Sequence, residues 1–238
     1  MPKSDNVYAR LARRLAWHQA LHDPAREPRN RLRWLPELRR WQAARLQRSF
    51  ARFLRDPRRA AAAGFFLSDV YGDHDFARRD ADIARVLPTM QKLLPKTLLG
   101  TVADAIELGA LSHALDLRMA EALQAMAPGR RKLDEGLYAR AYRAAGVPRL
   151  RARQIRLIRS VGGGFGRALK LPGVAALLAF SRGPARLAGL SELQGFLERG
   201  YAAFDRLGDA EDFVAEIERD EREISRRLFA GERDPFGL

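Results

Sequence analysis

Four groups of residues have the types and spacing to do chemistry. The first is Glu107, Ser112, His113 and Asp116, set in one apolar stretch. His113 and Asp116 are three apart, so on a helix they share a face. An imidazole beside a carboxylate can exchange protons as a general acid/base pair, which makes Glu107, His113 and Asp116 the candidate catalytic residues. A di-iron bundle would instead need a Glu-x-x-His pair on each of two helices. Here the order is His-x-x-Asp, without a second copy. The plainer reading is a structural hydrogen-bond network, because an unpaired polar group in a core is costly.

The second group is an acidic run holding Asp69, Tyr71, Asp73, His74, Asp75, Arg79, Asp80 and Asp82. Such a density of oxygens suits a hard cation. The glycine and terminal glutamate of an EF-hand loop are missing, however. Asp73 or Asp75 would serve equally well as the cap of a helix, with acids in its first turn complementing the helix dipole. The third group is His18 and His22, four apart as in a zinc protease helix. Gln19 stands where the catalytic glutamate would be, and no third ligand can be identified. The fourth is Gly162–Gly166 followed by Arg167 and Lys170, a possible phosphate cradle at a helix start. It has neither the Walker nor the dinucleotide spacing, so it reads as a hinge, glycine being the default loop residue. No metal and no cofactor is expected from these groups.

Charge supplies a different class of candidate. The chain of 238 residues carries a formal +14, from 38 Arg and 5 Lys against 29 Asp and Glu. Residues 1–60 hold 16 basic against 5 acidic side chains, 61–128 hold 6 against 9, 129–190 hold 14 against 2, and 191–238 hold 7 against 13. Two basic blocks thus alternate with two acidic ones. Arg45, Arg48, Arg52 and Arg55 form a stripe at helical spacing within an arginine-rich face at 31–59. Arg149, Arg153 and Arg156, in one basic cluster with Arg151 and Arg159, belong to a second such face at 149–159. These seven are the candidate anion-binding residues for nucleic acid or another polyanion, with Trp17, Trp34 and Trp41 near the first block as stacking candidates. The opposing reading is that the blocks neutralise one another inside the fold, partly through the acidic C-terminal helix. The arginine bias itself is what a GC-rich genome produces.

These residues must be positioned by helices, because the apolar period is helical almost throughout. Helices are expected at about 6–22, 34–55, 57–71, 73–94, 101–127, 133–145, 149–161, 172–181, 191–207 and 209–230. The helix at 101–127 is apolar on nearly every side, through Ile106, Leu108, Leu111, Leu115, Leu117, Met119 and Leu123. Such a helix belongs at the centre of a bundle. Thr101 and Asp104 resemble a capping box at its start. The fold class is all-α, a single multi-helix domain of about nine to ten helices over 1–238, with a possible hinge at 162–166 and a tail at 231–238. With no cysteine there is no disulfide, thiolate site or cysteine nucleophile. The longest apolar run, Val174 to Phe180, is far short of the about 20 residues that span a bilayer. No signal peptide is legible, so the cytoplasm is the expected location.

The stretch FFLSDVYGDHDFARRD at 65–80, with RGPARLAGLSELQGFLERGYAAF at 182–204, resembles a family of uncharacterised proteobacterial proteins. That family is marked by an FFLxDxYGxxDFxxRD signature. The similarity extends from about Ala43 to Phe229. It implies a bacterial source and an all-helical fold, and it assigns a role to no residue.

Without a complete catalytic constellation, the leading expectation is a basic bacterial protein that is not an enzyme and acts by binding or regulating a partner protein. The two alternatives are a nucleic-acid or polyanion binder, and a small-ligand-binding protein or enzyme with a polar pocket around His113 and Asp116.

Overall fold

A 31-residue helix whose apolar side chains point in all directions must be surrounded, and the rest of the chain surrounds it. The computed structural model describes residues 7–70 and 96–237. In order, the elements are α1 (Val7–His22), a 3-10 turn (Pro28–Arg31), α2 (Trp34–Ser49), α3 (Ala51–Arg55), α4 (Ala60–Phe65) and a π-helical turn (Phe66–Val70). There follow α5 (Lys96–Met126), α6 (Glu135–Ala145), α7 (Pro148–Leu169), α8 (Val174–Leu187), α9 (Ser191–Asp205) and α10 (Ala210–Ala230). The fold is all-α: the described residues form ten α-helices and no strand.

Helix α5 packs against α1, α2, the 3-10 turn, α6 and α7. It shares one apolar cluster with α1, through Leu11, Leu15, Leu99, Ala103 and Ile106. A second cluster joins Leu117 and Leu123 to Trp34, Leu38, Leu137 and Leu228. A third, rich in aromatics, sets Leu111 and Leu115 among Phe53, Phe66, Phe204 and Phe213. By length and composition α5 would also suffice to cross a membrane, but half of its most apolar window is buried within the protein. This is what a bundle's core helix looks like. The expectation that no run was long enough overlooked it, because its small residues and scattered polar groups break up any continuous apolar string.

Several boundaries differ from the sequence expectation for local reasons. Helix α5 is already formed at Lys96, so Thr101 is an interior residue whose hydroxyl donates back to Thr97 O (3.3 Å). Asp104 caps nothing; it accepts from Arg14 Nη1 (2.8 Å) on α1 and Ser160 Oγ (2.7 Å) on α7. The expected helix 34–55 breaks at Phe50 into α2 and α3. The helix expected at 172–181 runs on as α8 to Leu187, with Pro184 inside it. Helix α10 starts where expected, with Asp209 as its cap accepting from Asp212 N (3.0 Å), and Gly231 ends that helix with a φ of 75°. The helix expected at 73–94 lies outside the described residues.

The glycine run at 162–166 is no hinge. It lies within α7, which continues to Leu169. A methyl on Gly162 would collide with Val214 Cγ1 and one on Gly166 would sit 2.6 Å from Ala210 Cβ, both on α10. A methyl on Gly164 would strike the Thr101 hydroxyl on α5. The glycines therefore let α7 approach two helices at once. The expected tail is docked as well. Pro235 is buried, and Phe236 lies edge-on to Trp41 with ring centroids 5.7 Å apart.

Gly162→Ala is expected to destabilise the protein by about 1–3 kcal/mol, the usual cost of overpacking. Gly136→Ala, at an exposed helical position with only ordinary contacts, is expected to leave stability unchanged or raise it. Thermal unfolding of the two variants beside the parent checks the contrast.

Candidate functional site

Asp116 is placed by α5 at a position where five helices meet around a small cavity of mixed polar and apolar lining. The cavity has a volume of about 100 Å³. Its polar walls are Gln42 and Arg45 from α2, Ser112 and Asp116 from α5, Tyr138 and Tyr142 from α6, Arg151 and Gln154 from α7, and Glu221 and Ser225 from α10. Apolar side chains, among them Phe50, Ile155 and Ile217, line the remainder.

Most of these groups are satisfied by one another. Arg45 makes a two-armed ion pair with Glu221, its Nη2 donating to Oε2 at 3.1 Å. Gln154 Nε2 donates to Ser112 Oγ (2.8 Å), and the Tyr142 hydroxyl and Ser225 Oγ are 2.8 Å apart. Tyr138 stacks on Trp41 with centroids 4.0 Å apart. Burial pushes both tyrosine hydroxyls above their ordinary pKa.

Two groups are not satisfied in this way. Asp116 Oδ1 accepts from Gln42 Nε2 (3.1 Å), and its second oxygen has no hydrogen-bond partner among the described residues. Burial raises its pKa above the ordinary aspartate value, while the charge of Arg151 and the bond from Gln42 pull it back. Arg151 is only 8 % exposed. Its guanidinium donates to Gln154 Oε1 (3.0 Å) and to the soft sulfur of Met119 (3.1 Å), and lies 4.7 Å from the centre of the Tyr142 ring. Among the described residues it has no carboxylate within ion-pair distance. A third loose end is Arg45 Nε, which is buried without an acceptor.

His113 belongs to a different neighbourhood. Arg39 Nη2 donates to its Nδ1 (2.8 Å), which puts the proton on Nε2. That N–H is shared between Asn30 Oδ1 (2.8 Å) and Leu21 O (3.2 Å). The ring stacks on His22 (4.1 Å between centroids), which stacks on His18 (4.2 Å). The two histidines of α1 thus meet the histidine of α5, but face to face, so their ring nitrogens do not converge on one point. Among the described residues no cluster of three or more His, Asp or Glu could hold a metal ion. Burial, and then the neighbouring His22 and Arg39, lower the His113 pKa to about 3. It is a neutral structural imidazole, and it shares no hydrogen bond with Asp116. Glu107 lies elsewhere again, pairing with Arg14 of α1 and with Arg153 Nε of α7 (2.5 Å).

The arginine stripes are tied to α10. Arg45 pairs with Glu221, and Arg52 with Glu216 (2.9 Å) and with Asp220. Arg59 pairs with the same Glu216 (2.6 Å). From the other side, Arg159 reaches Glu218 (3.2 Å) and Arg167 reaches Glu211 (2.6 Å). Arg48, Arg55, Arg149 and Arg156 are exposed and have no carboxylate partner among the described residues. Of the signature cluster only Asp69 is described; it accepts from Arg199 Nε (2.8 Å) and Ser68 Oγ (2.7 Å). Tyr71, Asp73, Asp75, Arg79 and Asp80 lie outside the described residues.

Sequence reasoning named Ser112 and Asp116 together and placed Arg45 and Arg151 on separate basic faces, but missed that all four line one cavity with Tyr138 and Tyr142. The signals were present: Arg151 stands on the same stripe as Ile155 and Ile158, and Tyr138 and Tyr142 form an i, i+4 pair. An arginine in an apolar stripe is buried by its neighbours.

Two outcomes are expected. Unfolded histidine titrates near 6.5 and His113 at about 3. Between these values the unfolded chain takes up a proton that the fold refuses. Stability is therefore full above pH 6.5 and falls as the pH drops, by up to about 1.4 kcal/mol per unit. His113→Gln should flatten this decline in urea titrations at pH 4–7. Asp116→Asn removes a charge that burial disfavours, so its melting temperature at pH 8 should equal or exceed the parent's; a fall of several degrees would make Asp116 a structural anchor.

No curated protein and no solved structure matches the chain. A family model does, over residues 21–235, and the chain belongs to that family, described as a domain of unknown function (DUF8198).

Proposed function

We propose that this is a bacterial, cytoplasmic, non-enzymatic protein that acts by docking a partner protein through α8. One observation carries the reading. Leu177, Phe180 and Leu187 are 59 %, 81 % and 91 % exposed, while α8 rests on α9 and the end of α7 through its other face. With exposed Pro184 they fall at i, i+3, i+7 and i+10, one stripe of a helix. This is the anchor spacing with which an amphipathic helix enters an apolar groove. A cluster of large exposed apolar side chains on one element is unusual for a surface with no partner.

Charge narrows the partner. Residues 136–191 contain no Asp or Glu but eleven Lys and Arg. Lys170 and Arg186 flank the ridge without a carboxylate partner among the described residues. The partner surface is accordingly an apolar groove with an acidic rim. The polyanion reading has less support, because Arg45, Arg52 and Arg153 of its seven candidates are occupied by Glu221, Glu216 with Asp220, and Glu107.

The test uses a photo-crosslinking amino acid at Phe180 in cells, followed by reconstitution of the crosslinked protein with the purified chain. A one-to-one complex is expected, weakened at least tenfold by Phe180→Asp, with the helical signal and melting temperature of the variant unchanged. Self-association through α8, binding to anionic vesicles, or a complex indifferent to Phe180→Asp would overturn the reading.

A further inference from the structure

The central cavity has one feature that the docking reading does not use. We propose that it is a binding site for a small zwitterion, a molecule carrying one ammonium and one carboxylate group, held between Asp116 and Arg151.

The argument begins with charge. Two groups of opposite charge line one cavity, Arg151 buried and Asp116 half-buried, and they do not pair with each other within ion-pair distance. A buried charge left without a partner is costly. Elsewhere in the same cavity the chain does form such a pair, between Arg45 and Glu221. Asp116 has one oxygen with no partner among the described residues, and the Arg151 guanidinium is left with an amide oxygen, a thioether and an aromatic face. The two offers are complementary. The free carboxylate oxygen accepts from an ammonium, and the guanidinium presents a fork that fits a carboxylate. A zwitterion satisfies both at once and keeps the cavity neutral.

Size sets the class. A cavity of about 150 Å³ accepts benzene, with six non-hydrogen atoms. At about 100 Å³ this one takes a molecule of about four to six, the range of glycine, alanine and β-alanine. The apolar walls, Ile155 and Ile217 among them, tolerate a methylene or methyl and offer no polar contact to a longer side chain. The serine hydroxyls that line the cavity, Ser112 and Ser225, are engaged by Gln154 and Tyr142, and the role assigned to the cavity is binding alone. Water bridging Asp116 to Arg151 is the competing occupant.

Isothermal titration of the exhaustively dialysed full chain with glycine, L-alanine and β-alanine decides between them, with acetate and methylammonium as singly charged controls. Saturable one-to-one binding of at least one zwitterion is expected, at least tenfold tighter than either control. Asp116→Asn and Arg151→Met should each weaken it tenfold or more. Arg151→Met can fail to fold, but Asp116→Asn removes only a disfavoured charge and keeps the test open. No heat from any of the three up to about 10 mM, at most −2.7 kcal/mol of binding free energy, overturns the proposal and leaves the cavity to water. Equal binding of acetate, or zwitterion binding unchanged in Asp116→Asn, overturns it too.

Discussion

A helix apolar on every side has no face to offer water, and that constraint organises this protein. Helix α5 must be covered by α1, α2, α6 and α7, and each of them needs only one apolar stripe to do so. The cover consists of separate apolar clusters along the length of α5, and not of one continuous core. Polar side chains of α5 are therefore forced into the seams between its neighbours. Asp104 and Glu107 reach Arg14 and Ser160 or Arg153 at one seam, His113 reaches Arg39 and Asn30 at another, and Ser112 and Asp116 meet at the central cavity.

The second organising element is α10. Its acids accept arginines from α2, α3 and the start of α4 on one side and from α7 on the other. Most of these pairs are partly exposed, and each such pair contributes little by itself. Their combined effect is to bring two strongly basic segments to the same helix without mutual repulsion. The close approach is set by the backbone: Gly162 and Gly166 admit Val214 and Ala210 where any side chain would hold α7 away from α10. Packing and charge thus specify the same neighbour.

What was legible in the sequence follows from these two facts. The all-α class, the central place of α5 and the neutralisation of the arginine stripe by the C-terminal helix could all be read from spacing and charge alone. The glycine run was misread because glycine permits two opposite things, a loose turn and a tight helix contact, and only the partner helix decides between them. The joining of His18 and His22 to His113 was invisible, since it depends on how α1 crosses α5. His113 and Asp116 looked like a pair because three residues on a helix are neighbours. They are separated in role because the seam between α1 and α5 takes one and the seam between α2 and α7 takes the other.

The ion pairs also define what is unusual. Arginines are the commonest cations of this chain, and several of those drawn toward its interior are given a carboxylate, although Arg39 has His113 instead. Arg14 has Asp104 and Glu107, Arg45 has Glu221, and Arg59 has Glu216. Arg151 is as buried as Arg45 and has none among the described residues. A fold selected only for stability would put an apolar side chain at that position, beside Ile155 and Ile158, because hydrophobic replacements of buried charges are often neutral or stabilising. Asp116 raises the same question from α5, where an amide would satisfy Gln42 at no cost in charge. Two residues that each weaken the core, placed around one cavity with opposite signs, have their simplest common explanation in something that enters between them.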